Sequence, residues 1–208
     1  MKRFFVTGIG TDVGKTIASA ILVESLHADY WKPIQAGDLD NTDTMKVRSL
    51  ISNTTSKFHP ETYQLTKPVS PHAAAEADGI KINIDTLTLP ITTNSLIIEG
   101  AGGLMVPLND KFLVIDLIQK LKAEVILVSS NYLGSINHTL LTVEALKSRN
   151  IPIAGIIFNG RSAKTSEEYI LSYTGLKRLL SIEEEKKIDK EMVLKYEAML
   201  KPAFVNQK

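Results

Sequence analysis

Residues 4–26 read FFVTGIGTDVGKTIASAILVESL, and this stretch decides the fold. Phe4 to Val6 is a short apolar run of the kind that forms a strand buried on both faces. Gly14 to Leu26 is a helix-like stretch rich in Ala, Ile and Leu. Between them lies Gly8 to Thr16, GIGTDVGKT. A glycine-rich turn placed between strand and helix lets backbone N–H groups close around phosphate oxygens at a helix N-terminus. In such a loop Lys15 reaches the β- and γ-phosphates of a nucleotide, and the Thr16 hydroxyl ligates Mg²⁺. The common pattern G-x-x-x-x-G-K-[ST] sets four residues between its glycines. Here five residues, Ile9 to Val13, separate Gly8 from Gly14.

Working outward, Leu96 to Ile98, Val125 to Val128 and Ile153 to Phe158 are further short apolar runs. Helix-like stretches separate them, Phe112 to Lys122 before the third run and Ser135 to Ser148 after it. Strands that alternate with helices predict a doubly wound α/β fold with a mostly parallel sheet and helices on both faces. Ala28 to Ile34 (ADYWKPI) reads as another strand, cut by Pro33. Thr42 to Ile51 reads as a short helix capped by Asn41 or Thr42. From Ser52 to Pro90 the expectation is loops around one short helix that starts near Pro71 and closes at Gly79. After Ile182 the chain is charge-dense. Ile188, Met192, Tyr196 and Met199 fall on one helical face, which predicts a docked amphipathic helix. No repeat or linker interrupts the chain, so residues 1–208 are expected to form a single domain.

Composition narrows the function. The 208 residues are 44% hydrophobic and 23% charged, enough to build a core without staples. The absence of cysteine excludes a disulfide framework, a thiolate zinc site and a cysteine nucleophile together. The 24 basic and 23 acidic residues give a formal charge of +1, without the basic excess of a nucleic-acid binder. No window approaches the roughly 18 apolar residues of a membrane span, and no signal-peptide core follows Met1. A cytoplasmic protein with no nucleic-acid or membrane partner is the expectation.

Three segments beyond the loop carry candidate chemistry. LIIEGAGG, Leu96 to Gly103, puts Glu99 near the end of a buried strand, where a P-loop enzyme needs its second metal contact. The glycines that follow, with Ala101, let backbone approach phosphate. WKPIQAG, Trp31 to Gly37, sets Lys32 at the end of the second expected strand, suited to an anionic substrate or a transferring phosphoryl group. Asp43 is a further candidate metal or water-bridged ligand. Taken alone, Lys32 also reads as an edge lysine and Asp43 as a helix cap.

In order, GIGTDVGKT, KPIQAG, NTD, SPHAAAE, EGAGG, LGSINHTLLT and IIFNG resemble the dethiobiotin synthase family over about Phe4 to Gly160. That family's P-loop carries the extra residue noted above. The resemblance implies a homodimeric ligase that uses MgATP. It would act on 7,8-diaminononanoate and CO₂ or bicarbonate, through a carbamic–phosphoric anhydride, to close a ureido ring. By similarity Lys15, Lys32 and Thr11 serve catalysis. Asp12, Val13, Gly14, Lys15, Thr16, Ile17, Asp43, Glu99, Gly100, Ala101, Gly102 and Asn159 bind ATP, with Asn159 at the adenine. Thr16, Asp43 and Glu99 hold Mg²⁺. Lys32, Ala36, Ser135 and Asn137 bind substrate, the last two at the carboxylate end near the dimer interface. Ala36 stands where some members carry a hydroxyl, and Asp12 where glutamate is frequent. The C-terminal third matches poorly, and no base-contacting loop is identified there.

Two rival classes fit the sequence less well. Related amidoligases usually carry a glutamine-hydrolysing domain with a cysteine, which this chain lacks. ParA- or MinD-like switch ATPases carry a second lysine early in the loop, where Ile9 and Gly10 stand here.

Overall fold

The structure, a computed structural model, describes residues 2–205, so the expected domain limits at Met1 and at 206–208 lie outside the described residues. The first strand, β1 (Arg3–Gly8), leads through the glycine loop into α1 (Lys15–Leu26). Pro33 splits the next extended stretch into β2 (Asp29–Trp31) and β3 (Ile34–Ala36), since proline can donate no ladder hydrogen bond. Helix α2 (Asp43–Leu50) begins at Thr42, whose Oγ1 accepts from the Met45 N–H at 3.2 Å.

Between Ser52 and Pro90 the loop expectation was incomplete. The region holds α3 (Pro71–Ala77) as expected, and also two short strands, β4 (Phe58–His59) and β5 (Tyr63–Leu65). The remaining elements are β6 (Leu96–Gly103), α4 (Val114–Leu121), β7 (Glu124–Ser130), α5 (Ser135–Ser148), β8 (Ile153–Asn159), α6 (Lys164–Thr174), β9 (Arg178–Ile182) and α7 (Lys190–Val205).

Seven strands form one sheet in the order β4-β2-β6-β1-β7-β8-β9, and every neighbouring pair is parallel. Strands β3 and β5 pair separately. Two apolar layers cover the main sheet. One buries α1, α2 and α7 against Phe4, Val6, Ile97 and Ile126, and the other buries α4, α5 and α6 against Phe5, Ile98, Val125 and Leu127. Both faces are therefore dry, which is why the strands read as continuous apolar runs. The tail helix docks as expected but on a shifted face. Met192, Val193, Tyr196 and Leu200 are buried, while Ile188 and Met199 are more than half exposed.

Strand β6 lies between β2 and β1, and it runs past Glu99 to Gly103 rather than ending at the acid. Its pairing with β1 shifts between Val6↔Glu99 and Gly8↔Gly103, so β6 bulges through Gly100–Gly102. Bulges of this kind re-aim a strand beside functional sites. Here the bulge lays the glycines against the loop after β1.

Candidate active site

The loop from Gly8 to Gly14 is held in a conformation that only certain residues adopt. Asp12 has φ 56° and Gly14 φ 94°. A Cβ at Gly14 would lie 2.2 Å from Asn159 Nδ2, so this position requires glycine on two counts. No side chain caps the N-terminus of α1, and its first turn holds no acidic residue. Its first N–H groups are left for an anion. Val13 is buried, and its carbonyl accepts from Asn159 Nδ2 at 3.0 Å. Asn159 thus braces the loop from the end of β8.

Lys15 folds back over the loop, Nζ donating to the Gly10 carbonyl at 3.0 Å. Burial pulls its pKa down, and Lys32 adds to this, against the opposing charges of Glu99, Asp43 and Asp12. Next to it lies a buried charge cluster. Glu99 Oε1 accepts from Thr16 Oγ1 at 2.9 Å and from Lys32 Nζ at 3.2 Å. Its other oxygen, Oε2, accepts from the Tyr30 hydroxyl at 2.9 Å. Lys32 Nζ also lies 2.5 Å from Asp43 Oδ2 and 3.4 Å from the Gly100 carbonyl. Burial disfavours the Lys32 ammonium, but Glu99 and Asp43 outweigh it and its pKa is raised. Asp43 feels burial in the opposite sense, and the Lys32 charge wins there too, holding its carboxyl below the usual range.

These side chains open onto one cleft of about 710 Å³. Thr11, Asp12, Gly14, Lys15, Thr16, Ile17, Lys32, Ala36, Asp43, Glu99, Ala101 and Gly102 all line it. Gly100 has a packing part: a Cβ there would lie 2.6 Å from the Phe5 ring. The Gly102 position faces Thr11, and Gly103 sits against the Gly8 carbonyl, so the glycines of β6 approach the loop itself. Ser135 and Asn137 lie elsewhere. Ser135 lines a second cleft of about 470 Å³ with Tyr132, Gly134 and Arg161, and Asn137 is exposed in the first turn of α5. The two clefts share no lining residue.

Sequence reasoning missed three contributors. Gln35 is buried, with Oε1 accepting from the Asp43 N–H at 3.3 Å and Nε2 donating to the Gly37 carbonyl at 2.9 Å. Lys46 follows Asp43 by one helical turn, lines the cleft, and lies 3.8 Å from its carboxylate. Tyr30 sits in an apolar run and reads as core. For Lys46 the i, i+3 spacing was the available signal.

Comparison with known proteins supplies the family. An AAA domain family model matches residues 2–192. The ATP-dependent dethiobiotin synthetase BioD of Cytophaga hutchinsonii is 55% identical over 96% of this chain and 97% of its own length. That of Christiangramia forsetii is 56% identical over 94% of each.

The chain belongs to the ATP-dependent dethiobiotin synthetase family.

A third synthetase, from Chlamydia pneumoniae, is 43% identical over 99% of this chain and 92% of its own. Solved structures share the fold of the synthetase chain at much lower identity. A plasmid partition protein from Borrelia burgdorferi covers the whole chain with a TM-score of 0.62 at 15% identity. The septum site-determining protein MinD from Pyrococcus horikoshii, solved with Mg-ADP, covers 97% with a TM-score of 0.61 at 15%. At that identity the likeness is one of fold alone, and it makes the mostly parallel P-loop architecture plain. The rival switch-ATPase reading shares this architecture, whereas the synthetases match the sequence along nearly its full length.

Proposed function

We propose that the chain is a cytoplasmic, homodimeric dethiobiotin synthase built as a single P-loop α/β domain. It closes the ureido ring of 7,8-diaminononanoate with CO₂ and MgATP. The observation that carries this reading is the buried Lys32 ammonium, held between Asp43 at 2.5 Å and Glu99 at 3.2 Å on the floor of the P-loop cleft.

One amine of the substrate takes up CO₂ and releases a proton, forming a carbamate. A carbamate oxygen attacks the γ-phosphorus as the bond to the ADP oxygen breaks. The second amine then attacks the carbamoyl carbon, loses a proton and expels phosphate. No step needs a covalent protein group; positioning and charge neutralisation suffice. Lys15 and the open N-terminus of α1 neutralise the phosphates. Lys32 neutralises the carbamate and the transferring group, held at the right height by two carboxylates. Thr11 adds a hydroxyl to the same wall. Asn159 keeps the loop in its binding shape and stands by the adenine side.

The residues fit Mg²⁺ by donor chemistry. The Thr16 hydroxyl and the carboxylates of Asp43 and Glu99 are hard oxygen donors. Among the described residues no cluster of three acidic or histidine side chains would hold a metal alone. That suits an ion that arrives with phosphates and keeps part of its water. When bound, it would supply positive charge against the phosphates of the nucleotide.

Helix α5 follows Gly134 with no side-chain cap, leaving N–H groups for a carboxylate. On the family resemblance, the carboxylate end of the substrate is assigned to Ser135 and Asn137 at the dimer interface, supplied by a second copy. Turnover of purified protein with MgATP, bicarbonate and 7,8-diaminononanoate tests the reading. Ring-closed product by mass, with equal phosphate release that stops without the diamine, is expected. ATP hydrolysis that ignores the diamine would overturn it in favour of a switch ATPase.

A further inference from the structure

Glu99 has two carboxylate oxygens with different surroundings. Oε1 faces the cleft and takes Thr16 and Lys32. Oε2 points back under α1, where its partner is the Tyr30 hydroxyl at 2.9 Å. Register explains the meeting. Tyr30 of β2 pairs with Ile97 of β6, so Tyr30, Ile97 and Glu99 share the sheet face that α1 covers. Thr16, in the first turn of α1, comes down on the other oxygen. The Tyr30 ring is itself held, fully buried, against Phe58 at 5.8 Å between centroids. A glutamate carboxylate turns about a broad, nearly two-fold torsion, and its two oxygens are equivalent, so what needs fixing is the plane of the group. A fixed donor on one oxygen sets that plane and leaves the other oxygen facing the cleft.

We propose that Tyr30 is a positioning residue: its hydroxyl fixes the plane of the Glu99 carboxylate so that one oxygen stays presented to Thr16, Lys32 and the nucleotide's magnesium. It acts through Glu99 and touches no substrate. The inference rests on Glu99 belonging to the magnesium shell. Partners of a metal-binding group commonly set affinity by about 10–100-fold through such hydrogen bonds.

The test is Tyr30→Phe, which removes one oxygen and keeps the ring. Calorimetric titration with ADP alone and with ADP plus Mg²⁺ separates the contributions. For the wild type, Mg²⁺ should tighten ADP binding. For Tyr30→Phe, binding of ADP alone should stay within about twofold while the magnesium-dependent gain falls about tenfold. The Mg²⁺ concentration for half-maximal turnover should rise in step. Phe58→Leu, which loosens the ring's packing and keeps the hydroxyl, should lower the melting midpoint and leave the magnesium gain intact. A Tyr30→Phe protein with the wild-type magnesium gain overturns the proposal. So does an equal loss with and without Mg²⁺, because that marks a purely structural part. A wild type that shows no magnesium gain instead overturns the placement of Glu99.

Discussion

Replacing Lys32 with methionine keeps the aliphatic stem and deletes the charge between Asp43 and Glu99. At separations of 2.5 and 3.2 Å, and with an effective dielectric constant near 20, the two attractions are about 7 and about 5 kcal/mol gross. Desolvation of the ammonium offsets much of this, and removing one partner of a buried pair costs about 3–5 kcal/mol net. The Asp43 side chain is 21% exposed, so water screens the abandoned charge, and about 3 kcal/mol is the appropriate figure. In a chain of this size that lowers the melting midpoint by about 6–12 °C. Differential scanning calorimetry without nucleotide measures it. The same variant should bind ATP within about threefold of the wild type yet turn over at least about a hundredfold more slowly, since charge stabilisation of the transferring group is lost. A midpoint within about 2 °C of the wild type would show that the carboxylates do not need the ammonium. Lost ATP binding with normal turnover at saturating ATP would remove Lys32 from the substrate side.

Lys15→Ala should reduce turnover by at least about a hundredfold through the phosphate charge it no longer meets, as single-turnover phosphate release will show; near-normal turnover would rule out the P-loop assignment. Mixing Lys15→Ala copies with Asn137→Ala copies, each poorly active alone, should regain activity as hybrid dimers acquire one intact site. A mixture no better than its parts would place both ends of the substrate in one chain. Asp29 provides the pH dependence. Its oxygens accept from Thr92, Asn94, His59 and the Lys57 N–H. Burial alone would raise its pKa, but these donors together hold it below the usual carboxylate value. A carboxyl with a depressed folded pKa stabilises the fold above its unfolded value and loses that contribution as pH falls through the folded one. Asp29→Asn should therefore be less stable than the wild type at pH 7 by about 1–3 kcal/mol. The gap should narrow below about pH 4. A gap that stays constant down to pH 2 in denaturant melts would refute the assignment.

What could be read in the sequence follows the range of the forces. Apolar runs such as Val125 to Val128 and the Thr42 cap are local signals, and each fell within a residue or two of the observed element. GKT between strand and helix placed Lys15 and Thr16, and the strand-end logic placed Lys32 and Glu99 around one cleft. Strands β4 and β5 have two and three residues, too few for any periodicity to register, and both depend on pairing partners supplied by β2 and β3. Helix α6 and strand β9 had no counterpart among the expected elements. They are tied by Glu167, buried between Asn131 and Arg178, whose sequence gives no hint of such distant partners. The Tyr30 hydroxyl meets Glu99 across 69 residues. In the sequence it is simply one more aromatic residue in a strand. The tail was assigned to the right kind of helix, but Ile188 precedes its first turn and Met199 falls on the exposed side, because a charge-rich stretch admits more than one apolar stripe.

The bond from Asn159 to the Val13 carbonyl spans 146 residues. During synthesis at about 5–20 residues per second, some 7–30 s pass between the appearance of Val13 and that of Asn159. Throughout that interval the glycine loop lacks its brace, and the left-handed conformations of its native form are ones a free chain rarely occupies. Closing so long a loop costs entropy that the pairing of β8 between β7 and β9 helps to repay. The cradle therefore sets late: Asn159 stands about three quarters of the way along these 208 residues, so the loop gains its brace only once β8 has joined the sheet.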